Sequence, residues 1–469
     1  MQDFQPFIDL ALEYAQEKGA DFCEVRAEKT TSLSIRLEKE IVRSIQSSQN
    51  IGIGITVVVK GSRGHGFTGS LTNEDVRKAV DEAIQMAKAT SKHVKLSAEP
   101  IEYSPKNYKG FVPSQNRHPK DISLEEKIDL IKSGASEILG NDDVVSVLSA
   151  YGEYWGEIIF ENSEGLKRKW NPLKNGVLYY VVVRKNGEMG NGYEQFASSY
   201  GFEIYDKKDP RDLAHKALKG ARDAAVAKTL KPGKYGLIAD PNFVGVIAHE
   251  SFGHLTEGDY VATKSSILYG RLGEKVGSNY ATIVESGDPI NYGFFIPYDD
   301  EGVATEKVIL LEKGILKGYL HSRSTAKIMG MEPTGNARAI SFKYPSIVRM
   351  RNTYFMPGDM TKDELFEILK NGVYAEGSTG GQTEDTGNFT FGANRAYWFE
   401  DGEIKYPIKG ATVRANILDF LKNVVGASKE LVVHTSVFGG CGKGGQMPLP
   451  VGDGGPYMAI KEALVGGGV

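Results

Sequence analysis

Apolar residues recur at helical spacing in several stretches of the chain, and between these stretches apolar and polar residues alternate. Phe7, Leu10 and Ala11 share one face of a predicted first helix, and Gly19 follows as its stop. From there to about residue 70, polar and apolar residues alternate in short runs that are separated by Gly or Asn turns. This pattern predicts a meander of roughly four strands. The chain therefore begins with a helix followed by antiparallel sheet.

Capping motifs mark the start of three further helices in the first half. They are Thr72–Asp75, Ser123–Glu126 and Asp209–Pro210, and the last helix runs to about residue 227. Residues 93–120 carry several prolines and predict a loop, whereas residues 144–205 are strand-like. An isolated Gly52-x-Gly54 inside a strand-like run predicts a turn or a bulge.

The segment at residues 230–236 has the composition of a domain boundary, which predicts two domains at 1–230 and 231–469. The second domain opens with a strand and a helix, continues with glycine-punctuated strands, and has predicted helices at Glu364–Leu369 and Val413–Val424. Because strands and helices come in runs rather than strict alternation, the pattern predicts an α+β fold with large antiparallel or mixed β-sheets flanked by helices.

Composition excludes several classes of protein. A net charge of −4 and a pI near 6.1 give no polybasic surface for nucleic acid. Only Cys23 and Cys441 occur, too few for a disulfide framework, so a cytoplasmic location is expected. The first residues do not resemble a signal peptide, and no apolar run is long enough for a membrane span.

The clearest chemical motif is His249-Glu250-Ser251-Phe252-Gly253-His254, an H-E-x-x-x-H pattern that follows an apolar, helix-like run. Metal-assisted hydrolysis needs neutral imidazoles to hold an ion and a nearby carboxylate to accept a proton. Glu250 suits the role of base without being a ligand. The alternative is that both histidines are structural and Glu250 is solvated.

The spacing of the two histidines requires a distorted helix. Residues i and i+5 lie ~140° apart on an α-helix, compared with ~40° for the i and i+4 of H-E-x-x-H. Either a π-bulge adds one residue to the turn, or Gly253 allows the helix to distort or end before His254. We predict one of these two distortions.

A zinc site would need a third protein ligand, and the residues leave four candidates. Cys441 lies in a glycine-rich GGCGKGGQ segment that permits close backbone approach, while His434 lies in an apolar strand and is more typical of a packed histidine. Glu257 and Asp259 follow His254 closely and are also candidates for acceptors of the imidazole N–H groups.

The run AHESFGHLTEGD at 248–259 and the later GGCGKGGQ at 439–446 resemble the TldD/PmbA family, and the presence of H-E-x-x-x-H points to its TldD branch. Segments 310–326, 335–339 and 380–389 are also similar to that family. The resemblance implies a zinc (Zn2+) metallopeptidase. It implies that His249, His254 and Cys441 bind the metal and that Glu250 is the catalytic base.

The resemblance also implies a substrate and partners. Members of this family act on unfolded or unstructured polypeptides and assemble as homodimers or as heterodimers with a metal-free PmbA-type paralogue. No membrane or direct nucleic-acid partner is expected.

Two other functions stay open at this point. The first is a non-catalytic peptide-binding or assembly subunit with a structural metal or none, and the second is a nucleic-acid-associated regulator. An intact Glu250 argues against the first, and the acidic net charge argues against the second.

Overall fold

The computed structural model describes residues 3–467, which contain nine α-helices. Their bounds are α1 (Gln5–Glu17), α2 (Asn73–Thr90), α3 (Leu124–Leu139), α4 (Pro210–Ala225), α5 (Pro241–Val246), α6 (Gly258–Ala262), α7 (Arg323–Met329), α8 (Lys362–Leu369) and α9 (Ile417–Lys422). The first four confirm the helices that the sequence predicts for the first half. The hydroxyls of Thr72 and Ser123 accept the expected backbone N–H groups at the starts of α2 and α3.

The first half forms one seven-stranded sheet. Its strands are β1 (Phe22–Glu38), β2 (Ile41–Val59), β3 (Ser62–Thr68), β4 (Val144–Asn162), β5 (Lys167–Trp170), β6 (Leu173–Lys185) and β7 (Glu188–Ser198). The order across the sheet is β3-β2-β1-β4-β6-β7, with β5 beside β4, and all pairs are antiparallel.

The two faces of this sheet have different neighbours. On β1 the odd-numbered positions such as Val25 and Ile35 are buried in the clusters that include α1–α4. The even-numbered positions, including Arg26, point to the opposite face and meet the second half of the chain: the Arg26 guanidinium donates to the Ala339 carbonyl at 2.9 Å. One face therefore holds a core, and the other borders the rest of the molecule.

The second half contains the remaining strands, most of them in two mixed sheets. They are β8 (Lys228–Thr229), β9 (Gly233–Ala239), β10 (Ile283–Ser286), β11 (Val308–Glu312), β12 (Ile315–Leu316), β13 (Ala337–Arg338), β14 (Ile347–Val348), β15 (Asn352–Phe355), β16 (Asn371–Thr383), β17 (Asn388–Glu400), β18 (Glu403–Lys409), β19 (Ala411–Asn416), β20 (Val424–Ala427), β21 (Val432–Thr435), β22 (Cys441–Lys443), β23 (Gln446–Leu449), β24 (Gly452–Gly455) and β25 (Met458–Gly467).

The larger of these sheets has eight strands in the order β16-β9-β25-β19-β17-β18-β8, with β20 beside β25. The smaller has six, in the order β12-β11-β10-β15-β24-β21. The largest hydrophobic cluster includes residues of both sheets and of α5, among them Phe243, Val244 and Phe355. The helix that leads into H-E-x-x-x-H is therefore anchored in a core.

Three details of the sequence prediction are wrong. The N-terminal meander has three strands instead of four, because β1 and β2 continue unbroken through their polar ends. Gly52 and Gly54 lie in regular strand register; a Cβ at Gly54 would come within 2.0 Å of the Phe342 carbonyl oxygen, so close packing explains the glycine. The predicted helix at Val413–Val424 is strand up to Asn416, which then caps the short α9.

The fold class is confirmed as α+β with large antiparallel and mixed sheets flanked by helices. The division into domains at residue 230 stays a prediction. No helix in residues 3–467 is both long and apolar enough to cross a membrane.

Candidate metal centre

The histidine helix takes the form that the spacing requires. Asp240 caps α5 by accepting the Phe243 N–H at 2.8 Å, and from Ile247 to Gly253 the backbone is a π-helix. The His254 N–H donates to the His249 carbonyl, five residues back. This wider turn brings residues i and i+5 to one face, which confirms the first of the two predicted distortions.

Three side chains that could hold a metal ion converge at this helix. The donor atoms of His249, His254 and Cys441 all lie within 4.8 Å of one another. The two imidazole rings are nearly perpendicular with centroids 5.4 Å apart, and the Cys441 sulfur lies 3.4 Å from His254 Nε2. Both ring nitrogens of buried His249 lack a hydrogen-bond partner within residues 3–467, which is costly unless something else binds there.

Cys441 reaches the histidines because a buried arginine holds its loop. Arg349 is fully buried, and its guanidinium donates to the Cys441 carbonyl at 2.7 Å and to the Gln446 carbonyl at 3.2 Å. These bonds fix both strands of the β22–β23 hairpin. Nothing in the sequence around Arg349 indicated this role.

The orientation of His254 is set by a buried carboxylate. Its Nδ1–H donates to Glu257 at 2.9 Å, which leaves Nε2 free to face Cys441. The Lys443 ammonium lies 2.9 Å from the same Glu257 carboxylate and 2.7 Å from Asp259. Of the two residues expected as acceptors of an imidazole N–H group, Glu257 takes this role, whereas Asp259 pairs with Lys443. The sequence analysis did not identify Lys443.

Mutual attraction among these groups outweighs their burial. Burial alone would raise the pKa of Cys441, but the two imidazoles lower it to about 5. Burial would lower the pKa of His249, but the Cys441 thiolate raises it to about 9. Burial also opposes ionisation of Glu257, yet His254 and Lys443 hold its pKa at about 2. The sulfur is thus favoured as the thiolate, the form that binds metals.

Glu250 lies where two cavities meet. Its side chain is 40% exposed, and its carboxylate is 3.6 Å from His254 Nε2. On one side is a cleft of about 470 Å³ that His249 and Cys441 also line, and on the other is a cavity of about 200 Å³. A carboxylate in this position can exchange protons with a molecule bound in the cleft.

Both halves of the chain build the cleft. Its walls include residues 193–195 of β7 and Gly377, Ser378, Gly380 and Gly381 of β16, which pairs with β17 as a hairpin. His434 also lines the cleft, with its Nε2 at 3.4 Å from Asp453, so it lies outside the cluster of three donors.

The donor set fits zinc. Two imidazoles and one thiolate are ligands that zinc prefers, and three protein donors leave a coordination position open, as catalytic zinc sites do. Such an ion explains one of the two unpartnered nitrogens of His249, since an imidazole binds a metal through a single nitrogen. Within residues 3–467 this is the one cluster of three or more His, Cys, Asp or Glu side chains with converging donor atoms.

Comparison with known proteins identifies the family of the chain. Family models for three domains of the PmbA/TldA metallopeptidases match the chain: domain 1 at residues 23–87, the central domain at 117–225 and the C-terminal domain at 232–467.

Whole-length relatives carry related names. A metalloprotease of Methanothermobacter thermautotrophicus is 35% identical over 454 residues, covering 96% of each chain. A zinc metalloprotease TldD homolog of Saccharolobus solfataricus is 28% identical, over 97% of this chain and 98% of that protein. The crystal structure of TldE from Thermococcus kodakarensis has the same fold, with a TM-score of 0.79 at 21% identity over 98% of this chain and all of that one. The chain therefore belongs to the TldD/PmbA metallopeptidase family.

Proposed function

We propose that this protein is a zinc-dependent peptidase that hydrolyses peptide bonds of unfolded or unstructured polypeptides. One observation carries the proposal: the donors of His249, His254 and Cys441 converge beside the exposed carboxylate of Glu250, at the wall of a large cleft. The metalloprotease names of the relatives support a peptidase at the level of the family.

The chain's own residues supply binding and proton transfer. When bound by His249, His254 and Cys441, zinc contributes Lewis acidity, which acidifies water and polarises a carbonyl group. The Glu250 carboxylate accepts a proton from the attacking water and passes it to the leaving amine nitrogen. Glu257 keeps the Nδ1 proton of His254 in place, so that Nε2 presents its lone pair.

The shape of the cleft favours an extended substrate. Strand β16 pairs with β9 only at Val373–Ala375, and within the described part of the chain its edge from Glu376 to Thr383 has β17 as its one strand neighbour. Residues of this edge line the cleft. Unpaired backbone groups there can bond to an extended polypeptide independently of its sequence.

The non-catalytic alternative is less well supported. A structural zinc site is usually closed by four protein ligands, whereas the converging cluster in residues 3–467 has three. A structural site also needs no exposed carboxylate such as Glu250.

We further propose that the protein is cytoplasmic. We also propose that it assembles as a homodimer or with a metal-free PmbA-type paralogue, and measurement of the mass in solution tests this assembly.

Glu250→Gln tests the proposed chemistry. The variant should fold and keep its zinc, because Glu250 is not among the donors, but turnover of an unstructured peptide should fall ~10²–10⁴-fold. Peptide cleavage and zinc content are measured side by side, with Glu367→Gln on the exposed surface of α8 as the matched control. Normal turnover by a zinc-loaded Glu250→Gln variant would contradict the assigned role.

A further inference from the structure

A second large cavity lies behind the loop that carries Cys441. Its volume is about 420 Å³, and Gly439 lines both this cavity and the metal cleft. The loop contributes Val437 and Phe438 on one side. The other side is the face of the N-terminal sheet that points away from α1–α4.

The sheet side of the cavity is polar. Ser32 and Ser34 of β1 lie opposite Ser48 and Gln46 of β2, so their side chains share one face. Within residues 3–467 these four side chains make no hydrogen bond with another side chain or the backbone, and they remain available to a ligand. We call this space the Lys174 pocket, after its one basic residue.

Lys174 is a buried cation without a counter-charge. It lies on β6 opposite Tyr154, which itself pairs with Ser32, so all three belong to the same row across the sheet. The residue is only 6% exposed. No charged or hydrogen-bonding group of the described chain compensates it, and burial alone lowers the pKa of Lys174 to about 8.

The other charged residue in the lining is already neutralised. The Glu153 carboxylate lies 2.8 Å from the Lys127 ammonium and accepts a hydrogen bond from the Tyr151 hydroxyl at 2.7 Å. The Lys174 pocket therefore presents one uncompensated positive charge in a lining that also contains serine side chains. Buried polar groups are normally satisfied, so an unpaired ammonium facing a cavity indicates a ligand.

The chemistry of the pocket selects a carboxylate. A single ammonium matches a single negative charge, while the serine hydroxyls and the Gln46 amide can donate to the second oxygen. A phosphate dianion would be left with an uncompensated charge. Gly439 lines both the pocket and the metal cleft, so the two spaces are adjacent at this loop.

We propose that the Lys174 pocket binds the terminal carboxylate of the polypeptide whose scissile bond lies in the metal cleft. The inference rests on the proposed peptidase function and adds a recognition site for the chain end. It implies that cleavage occurs at a limited distance from the carboxyl end of the substrate.

The test uses the full-length zinc-loaded protein carrying Glu250→Gln, so that peptides bind without being cleaved. Binding of a fluorescently labelled unstructured peptide with a free carboxyl end is compared with that of its C-terminal amide by fluorescence polarisation. The free acid should bind about tenfold more tightly, because this ratio of affinities corresponds to the free energy of one hydrogen-bonded charge pair. Lys174→Met should abolish this difference, whereas Lys185→Met, at an exposed position on the same strand, should preserve it.

Thermal unfolding separates a ligand role from a structural one. Since an unpaired buried ammonium opposes folding, Lys174→Met should leave the melting temperature unchanged or raise it. A large decrease, or equal binding of acid and amide by the Glu250→Gln protein, would overturn the proposal. Tight binding of an amidated peptide with a glutamate near its end would also overturn it, by assigning the pocket to an acidic side chain. Cleavage of the labelled peptide by the Glu250→Gln protein would instead contradict the assigned base, so failure of the proposed function is distinguished from failure of the pocket.

Discussion

At the level of residues, three donor side chains converge, and buried groups from distant segments hold them in position. The residue types of H-E-x-x-x-H indicated an ion and a base, and the family resemblance selected Cys441 from four candidates. The structure brings His249, His254 and Cys441 together. The supporting groups Arg349 and Lys443 act through bonds between distant segments, which no local pattern encodes.

Cys441→Ala should reduce zinc affinity by more than the 10–100-fold typical of losing an outer hydrogen-bond partner, because it removes one of the three proposed ligands. Elemental analysis of the purified chain measures this as zinc per protein. Cys23→Ala is the matched control, since Cys23 is equally buried but lies outside the cluster. Equal zinc retention by both variants would mean that Cys441 is a packing residue.

Glu257→Gln should weaken zinc binding about 10–100-fold, because the Nδ1–H of His254 loses its charged acceptor. Competition with a chelator of known affinity measures the change. Asp259→Asn is the comparison, since it disturbs Lys443 without touching His254. If both variants lose zinc equally, the effect passes through Lys443 and the orienting role of Glu257 is wrong.

At the level of elements, the sequence correctly predicted the helices that have a regular apolar pattern and local start or stop signals. Helices α1–α4 have an apolar stripe, and α2–α4 also begin at a cap, so each is specified within its own segment. The segment at 413–416 is different, because pairing with β17 and β25 makes it a strand. Partners distant in sequence decide such cases, as is common for strands.

Gly253, the last residue of the π-helix, packs closely against Met350. A Cβ there would lie 2.0 Å from Met350 Sδ, so Gly253→Ala should cost about 1–3 kcal/mol through overpacking. Urea denaturation measures the change in the free energy of unfolding. The cost should shrink when Met350→Ala is already present, and Gly140→Ala, where the space is open, should be near neutral. An undiminished cost beside Met350→Ala would point to the backbone rather than to packing.

At the level of the whole molecule, the two halves meet along contacts that sequence patterns do not reveal. Arg395 of β17 pairs with Glu194 of β7, and Gln195 accepts the Val437 N–H at 3.0 Å. His65 of β3 lies 3.1 Å from the Phe342 carbonyl. Arg395, Glu194 and Gln195 line the cleft. All three contacts join segments far apart in the chain, which composition and periodicity cannot pair.

Acid should weaken the contact at His65. Burial lowers the pKa of His65 to about 4, so between about pH 6.5 and 4 the unfolded chain binds a proton that the folded chain does not. The free energy of unfolding should therefore fall with decreasing pH across this window, by at most about 1.4 kcal/mol per pH unit from this group. Urea denaturation at several pH values should show a shallower dependence for His65→Gln, and no change for His93→Gln at an exposed position. Parallel profiles for the wild type and His65→Gln would exclude this linkage.

The distance along the chain between the donors has a consequence for folding. His254 and Cys441 are separated by 187 residues, yet their donor atoms nearly touch. An ion that ties them would act as a reversible cross-link closing a very long loop, and such closure removes several kcal/mol of conformational entropy from the unfolded chain. The proposed zinc would therefore stabilise the folded chain in addition to its role in hydrolysis, and removal of zinc would lower the free energy of unfolding.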